Sequence, residues 1–235
     1  MKEIRLIDEP KISIVMPVHN AEKSLVIALD TLLNQSFANF ELIIVDAGST
    51  DKTKAVTDKF SFDRRVRYVR VDNSNIGHAL NVGHSMTQGE YLTWCKADGI
   101  YYANFLSVLA QALDGAKAQG ANLGLVYSDF VLAKPDGKII QEILHATPQT
   151  KEGLAEGYDV GMSFMYTRDV WEKTGEYWER PCEDYNWCVR ASQCTSFGLV
   201  KAILAGLRVY ASQIDKETEE AAADCRALAA ALLGD

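Results

Sequence analysis

No run in this 235-residue chain stays apolar for the roughly 18 residues a membrane helix requires, so no membrane span is expected. The N-terminus, Met1-Lys-Glu-Ile-Arg-Leu, lacks the apolar core of a signal peptide. The five cysteines (Cys95, Cys182, Cys188, Cys194, Cys225) are scattered and odd in number, with no CxxC pair and no metal-ligand spacing. A reducing cytoplasm is therefore the default location. Positive charge is not in excess: the net charge of −8 argues against a general nucleic-acid or anionic-membrane surface, though a local basic pocket is compatible with it. No Gly-x-Gly-x-x-Gly follows the first apolar run, where Pro17-Val-His-Asn20 stands instead, so a dinucleotide-binding oxidoreductase is poorly supported. No internal repeat, low-complexity segment or linker is visible.

What the chain has is enough apolar material, 48%, for a full core, at a length that suits one α/β domain. Residues 12–18 are apolar and β-rich, and Asn20 can cap a helix over about 21–35, with Leu25, Ala28, Leu29, Leu32 and Leu33 at helical spacing. A strand at 40–46 and a helix beginning at Asp51 follow. Residues 65–71 alternate as a half-buried strand does, 75–87 reads as a helix, and the run at 90–95 as a buried strand. This β-α-β-α-β-α-β order predicts a parallel sheet with right-handed crossovers. A helix over about 102–117 comes next. Residues 124–132 and 138–140 then flank the hairpin signal Pro135-Asp-Gly137. The pattern blurs over 141–165, where Gly153, Gly157 and Gly161 suggest a loop-rich region. Beyond it we expect a helix at 183–192, short strands near 197–203 and 207–210, and an Ala- and Glu-rich helix over 214–233.

Two acids stand at the ends of strands. Asp46 closes the run Phe40-Glu-Leu-Ile-Ile-Val-Asp46 before the turn Ala47-Gly-Ser-Thr-Asp51, and Asp98 follows Tyr91–Cys95. Open α/β sheets bind ligands at the carboxyl ends of their strands, so the two suggest one site. The alternative is that each caps a turn or helix. Gly48 supplies backbone freedom in either case.

Together these residues resemble family 2 glycosyltransferases of the GT-A fold. The similarity runs from about residue 11 to 212. It is carried by Ile14-Val-Met-Pro-Val-His-Asn20, Ile44-Val-Asp-Ala-Gly-Ser-Thr-Asp51, Ala79-Leu-Asn-Val-Gly83, Gly89-Glu-Tyr-Leu-Thr-Trp94, Ala97-Asp98, Val126-Tyr-Ser-Asp129, Pro135-Asp-Gly137 and Glu183-Asp-Tyr-Asn-Trp-Cys-Val-Arg190, in that order. Each motif alone is weak; their order and spacing are specific. The resemblance implies a mostly parallel, Rossmann-like sheet flanked by helices, with a small β/loop region on the acceptor side. It implies one domain over 1–235: a nucleotide-binding half at about 11–100, an acceptor-side half at about 101–212, and a C-terminal helix at 213–235. The implied activity is transfer of a sugar, with inversion, from a nucleotide-diphosphate donor of UDP type to an acceptor hydroxyl. The expected setting is polysaccharide or glycoconjugate synthesis, with Mg²⁺ or Mn²⁺ as the usual cofactor. The expected partners are a nucleotide sugar and a glycan or glycoconjugate acceptor.

By the same resemblance, Pro17, His19, Asn20, Glu22, Asp46, Gly48 and Ser49 would line the nucleoside pocket. Asp98 would meet the ribose and the metal, and Asp184 would be the general base; Lys96 and Arg190 are the candidate phosphate contacts. Other readings stay open. Glu183 can serve to charge its helix N-terminus, Arg190 to make a structural ion pair, His19 to fill a loop, and Trp94 and Trp187 to fill core or pocket wall. His78, His84 and His145 show no ligand spacing.

Three positions depart from the family pattern. Lys96 and Gly99 stand where relatives usually carry acids or an amide, and Tyr210 of Arg208-Val-Tyr210 stands where many carry a metal-ligating His. Two expectations follow: Lys96 partly replaces the metal against the diphosphate, or the domain is a catalytically silent scaffold or regulatory partner.

Overall fold

The structure, a computed structural model, describes residues 9–156 and 160–210. Its centre is Ile12–Val18 (β1), a run of β-branched and apolar residues buried along nearly its whole length. β1 pairs in parallel with Phe40–Ala47 (β2) on one side and Tyr91–Trp94 (β4) on the other, and β2 pairs in parallel with Val66–Val71 (β3). The crossovers are Leu25–Leu33 (α1), Thr53–Asp58 (α2) and Ile76–Ser85 (α3). Residues alternate between the sheet's two faces. Ile12, Ile14 and Met16 pack with Leu25, Ala28, Leu29 and Leu32 of α1, whereas Val15 packs with Ile43, Val45, Ala79 and Leu80 on the opposite face.

The second half adds Gly99–Tyr101 (β5), Phe105–Ala118 (α4), Leu123–Ala133 (β6), Ile139–Ile143 (β7), Lys151–Glu156 (α5), Phe164–Thr167 (β8), Arg168–Thr174 (α6), Glu183–Ala191 (α7) and Ser196–Arg208 (β9). All strands join one sheet in the order β3-β2-β1-β4-β8-β6-β9-β5, with β7 on β6. The first half is parallel, as the βα alternation predicts. The second is mixed: β8 lies antiparallel between β4 and β6, β9 is parallel to β6, and β5 is antiparallel to β9.

The differences from the sequence pattern have local causes. β5 is three residues long and β8 four, too short for periodicity to register. β8 and α5 lie in the Gly-containing stretch expected to be loop. The two short strands expected near 197–203 and 207–210 are one thirteen-residue strand. Gly198 and Gly206 interrupt its pattern, and its register against β6 shifts near Asp129. The helix expected over 214–233 lies outside the described residues. No helix among the described residues is long and apolar enough to cross a membrane.

β1, β2 and β4 run the same way, so the loops following them open at one edge of the sheet. The N-terminus of α7 reaches that edge from the other half.

Candidate active site

A cleft of about 650 Å³ opens there. The end of β1 and the loop after it line it with Pro17, His19, Asn20 and Glu22, and the loop after β4 with Lys96, Ala97 and Asp98. Glu183 and Asp184 come from the N-terminus of α7, and Trp94, Ile76 and Tyr210 from its walls. Trp94 is 5% exposed, sits edge-on to Phe164, and its indole N–H has no hydrogen-bond partner among the described residues.

The loops after β1 and β2 are clasped together. Asn20 N–H donates to Ser49 Oγ at 2.9 Å, Ala21 N–H to Thr53 Oγ1 at 2.8 Å, and Glu22 N–H to Asp51 Oδ2 at 3.1 Å. In return, Thr50 N–H donates to Asn20 Oδ1 at 2.8 Å and Lys52 N–H to Glu22 Oε2 at 3.0 Å. His19 Nδ1–H donates to the Ala47 carbonyl at 2.7 Å, which leaves Nε2 to accept from Asn20 Nδ2 at 3.1 Å. Asn20 takes φ 51°, a region Asn tolerates better than most residues, and Gly48 turns the β2 loop with φ 75°. Asp51 also accepts from the Thr53 N–H and hydroxyl. Burial raises its pKa, but the bonds from Thr53 and from the Glu22 backbone outweigh that and hold it below the usual carboxylate range.

Asp46 lies beneath this clasp. It is fully buried and accepts from Ser49 N–H at 2.7 Å, the Tyr68 hydroxyl at 2.6 Å and Arg70 at 3.3 Å. Burial pushes its pKa up, yet Tyr68, Ser49 and Arg70 together bring it below the ordinary value. Burial and the neighbouring carboxylate push Tyr68 up to about 12. The residue of this strand end that lines the cleft is Ala47. Consecutive strand residues face opposite ways, so one position decides which side chain meets a ligand.

On the opposite wall, burial and then the charge of Asp184 raise the pKa of Glu183, which Lys96 partly offsets. Asp184 Oδ1 accepts from Tyr185 N–H at 2.7 Å, fixing the carboxylate at the helix start. Arg190, one helix face away, holds Asn186 Oδ1 at 3.0 Å and the carbonyls of Thr174 and Glu176. It ties α7 to the end of α6.

The cleft thus brings together Pro17, His19, Asn20, Glu22, Lys96, Asp98 and Asp184. It does not bring in Asp46, Gly48 or Ser49, which build the turn behind it, nor Arg190. Ala47, Ile76 and Glu183 line it although their sequence signals were those of strand, helix and cap. The alternation of β2 was the one signal that separated Ala47 from Asp46.

A divalent cation, expected from the family pattern, is poorly matched by these side chains. Among the described residues no three His, Cys, Asp or Glu side chains converge to hold one. Glu22 and Asp51 are committed to the clasp. Beside Asp98 stand Lys96, an ammonium, and Gly99, where an added Cβ would lie 2.5 Å from the Tyr101 hydroxyl. Arg208, 1% exposed, donates through both its backbone N–H and Nε to the Asp98 carbonyl at 3.1 Å, through Nη2 to Ser24 O at 2.7 Å and through Nη1 to the Tyr210 hydroxyl at 3.3 Å. Lys96 and Arg208 thus put two cations beside Asp98, where a metal would need further anions.

Comparison with known proteins gives a consistent result. The model of the family described as "Glycosyl transferase family 2" matches residues 13–175. An uncharacterized glycosyltransferase of Rickettsia bellii is 25% identical over 232 residues, which is 93% of this chain and 33% of that protein. Glycosyltransferase GlyG of Streptococcus pneumoniae is 38% identical over 102 residues, covering 43% of this chain and 34% of that one. The chain spans about a third of the length of these curated relatives. Among solved structures, residues 1–349 of Staphylococcus aureus TarS in complex with UDP-GlcNAc superpose with a TM-score of 0.75 at 16% identity, over 94% of this chain and 66% of that one. The mannosyltransferase PcManGT of Pyrobaculum calidifontis, in complex with GDP-Man and Mn²⁺, gives a TM-score of 0.68 at 14% identity, over 96% of this chain and 70% of that one.

Proposed function

The chain belongs to glycosyl transferase family 2, and from that premise we propose that it transfers a sugar from a UDP-type donor to an acceptor hydroxyl, with inversion, in polysaccharide or glycoconjugate synthesis. The observation that carries this reading is the facing of two walls across one cleft. One is the clasped loop wall with Lys96 and Asp98, and the other is the carboxylate pair Glu183–Asp184 on α7. The similar TarS structure solved with UDP-GlcNAc supports the choice of donor.

In the proposed reaction, the nucleoside lies against the Pro17–Glu22 loop and the diphosphate against the β4 loop. The acceptor enters from the α7 side. Its hydroxyl oxygen attacks the anomeric carbon while Asp184 takes the hydroxyl proton, and the bond to the diphosphate oxygen breaks on the far side. One base on the face opposite the leaving group yields inversion. Such a base contributes about 10²–10⁴-fold to rate. Glu183, its pKa raised by burial and by Asp184, holds a proton more readily than an exposed carboxylate and keeps the wall polar.

The test is UDP release from a panel of UDP- and GDP-sugars, with simple glycans as acceptors. Saturable turnover of a UDP-sugar supports the proposal. Binding with no turnover favours the silent-scaffold reading, for which the cationic surroundings of Asp98 are the motivating observation. No interaction with any nucleotide sugar refutes the transferase reading and leaves the scaffold.

A further inference from the structure

Anions and cations are unevenly distributed in the cleft. Four of its five acids sit on the clasp, where Glu22 and Asp51 accept from backbone N–H groups, and on the α7 wall; the fifth is Asp98. The stretch between them is different. Lys96 and Asp98 share one short loop after β4, and beneath that loop lies Arg208, 1% exposed, whose hydrogen bonds go to two backbone carbonyls and a phenol. Those three acceptors belong to Asp98, Ser24 and Tyr210, all of which line the cleft. The hydrogen-bond acceptors of this buried guanidinium are neutral groups, so its charge adds to the potential at the loop above. Lys96 Nζ lies 6.0 Å from the centroid of the Trp94 ring, another cleft wall, so the ammonium rests over apolar surface at the cleft rather than out in solvent. The backbone around it is fixed: the Lys96 carbonyl accepts from the Tyr101 hydroxyl at 3.1 Å and from Gly99 N–H at 3.1 Å.

We propose that Lys96, rather than the exposed Lys23 that also lines the cleft, is the built-in cation for the donor diphosphate, with Arg208 adding charge from below, and that nucleotide binding here does not require a divalent metal. This deepens the transferase reading and rests on its nucleoside-diphosphate donor. Physically, an ammonium at this place neutralises phosphate charge directly and repels a second cation from Asp98. Gly99 reinforces the arrangement. A carboxylate there would need the space held by the Tyr101 phenol, so a second acid cannot join Asp98 without disturbing the contact that fixes Lys96.

The experiment is isothermal titration of UDP and of inorganic pyrophosphate into the protein, once with EDTA and once with excess Mn²⁺. Lys96→Met and Lys96→Arg are compared with the unchanged chain. UDP is expected to bind in EDTA with an affinity within about threefold of that in Mn²⁺. Lys96→Met, which keeps the stem over Trp94, is expected to lose about tenfold or more in EDTA, the usual size of a charge-assisted contact, and Lys96→Arg to lose much less. Thermal melting of each variant reports whether it is folded. Binding of UDP only when Mn²⁺ is present overturns the inference and leaves the transferase reading intact. Undiminished binding in folded Lys96→Met with EDTA overturns the role of Lys96. No UDP binding in either condition refutes this inference and the UDP-donor reading together.

Discussion

Replacing Asp46 separates a residue that touches a nucleotide from one that builds the loop behind it. The carboxylate is fully buried and serves three donors, at 2.6 Å, 2.7 Å and 3.3 Å. Two of them, Ser49 N–H and the Tyr68 hydroxyl, are bonds to a charged acceptor, each worth roughly 1.5–3 kcal/mol. Arg70 is 45% exposed, so its ion pair adds at most about 1 kcal/mol. The bonds share one acceptor group and are not additive, and water will enter the vacated space. Asp46→Ala should therefore cost about 3 kcal/mol, a large part of the 5–15 kcal/mol typical of a domain but not all of it. Asp46→Asn keeps an oxygen for Ser49 and should cost roughly half as much. The wild-type carboxylate has a depressed pKa, so its stabilisation is present above the unfolded value near 4 and is lost as pH falls through the folded value. The Asn variant should lack that acid-side loss. Urea unfolding between pH 3 and pH 7, with UDP titration at pH 7, measures both effects. We expect unfolding midpoints to fall and UDP affinity to drop only modestly, through a loosened clasp. A loss of about a hundredfold in UDP affinity with an unchanged midpoint would refute the reasoning and place Asp46 on the nucleotide.

Three further outcomes follow from the same structure. Asp184→Asn keeps the size of the side chain and removes its basicity, so turnover should fall about a hundredfold or more with donor affinity unchanged; near-normal turnover would assign the proton to another group. His84 is buried between Leu80 O at 2.8 Å and the Tyr166 hydroxyl at 2.6 Å and stacked on Trp171, and burial depresses its pKa to about 4. Its folded pKa lies below the unfolded 6.5, so about 3 kcal/mol of stability present above pH 6.5 should drain away as pH falls to 4, a slope that His84→Phe should flatten in pH-dependent unfolding. Gly99→Asp should destabilise by about 1–3 kcal/mol, because its Cβ meets a phenol that is only 2% exposed, and a neutral effect on melting would show that Tyr101 moves aside freely.

The parallel half of this fold was legible in the chain because its signals are local. Apolar runs too uniform for a half-exposed strand marked β1, β2 and β4, 3.6-residue spacing marked α1, and the order of the two types fixed parallel pairing through crossover geometry. Motif order likewise pointed to the sheet edge where the cleft opens. Local pattern could not reveal β8, four residues that owe their place to pairing with β4 and β6. Nor could it join 196–208 into one strand, since Gly198 and Gly206 break the periodicity that long-range pairing with β6 restores. The same limit applied to individual side chains. Sequence identified Asp46, Ser49 and Arg190 as polar groups near a site; only the fold supplies their hydrogen-bond partners, 3 to 29 residues away. It showed Lys96 and Arg208 only as two charges 112 positions apart; β9, returning beside β5, set the guanidinium against the Asp98 carbonyl.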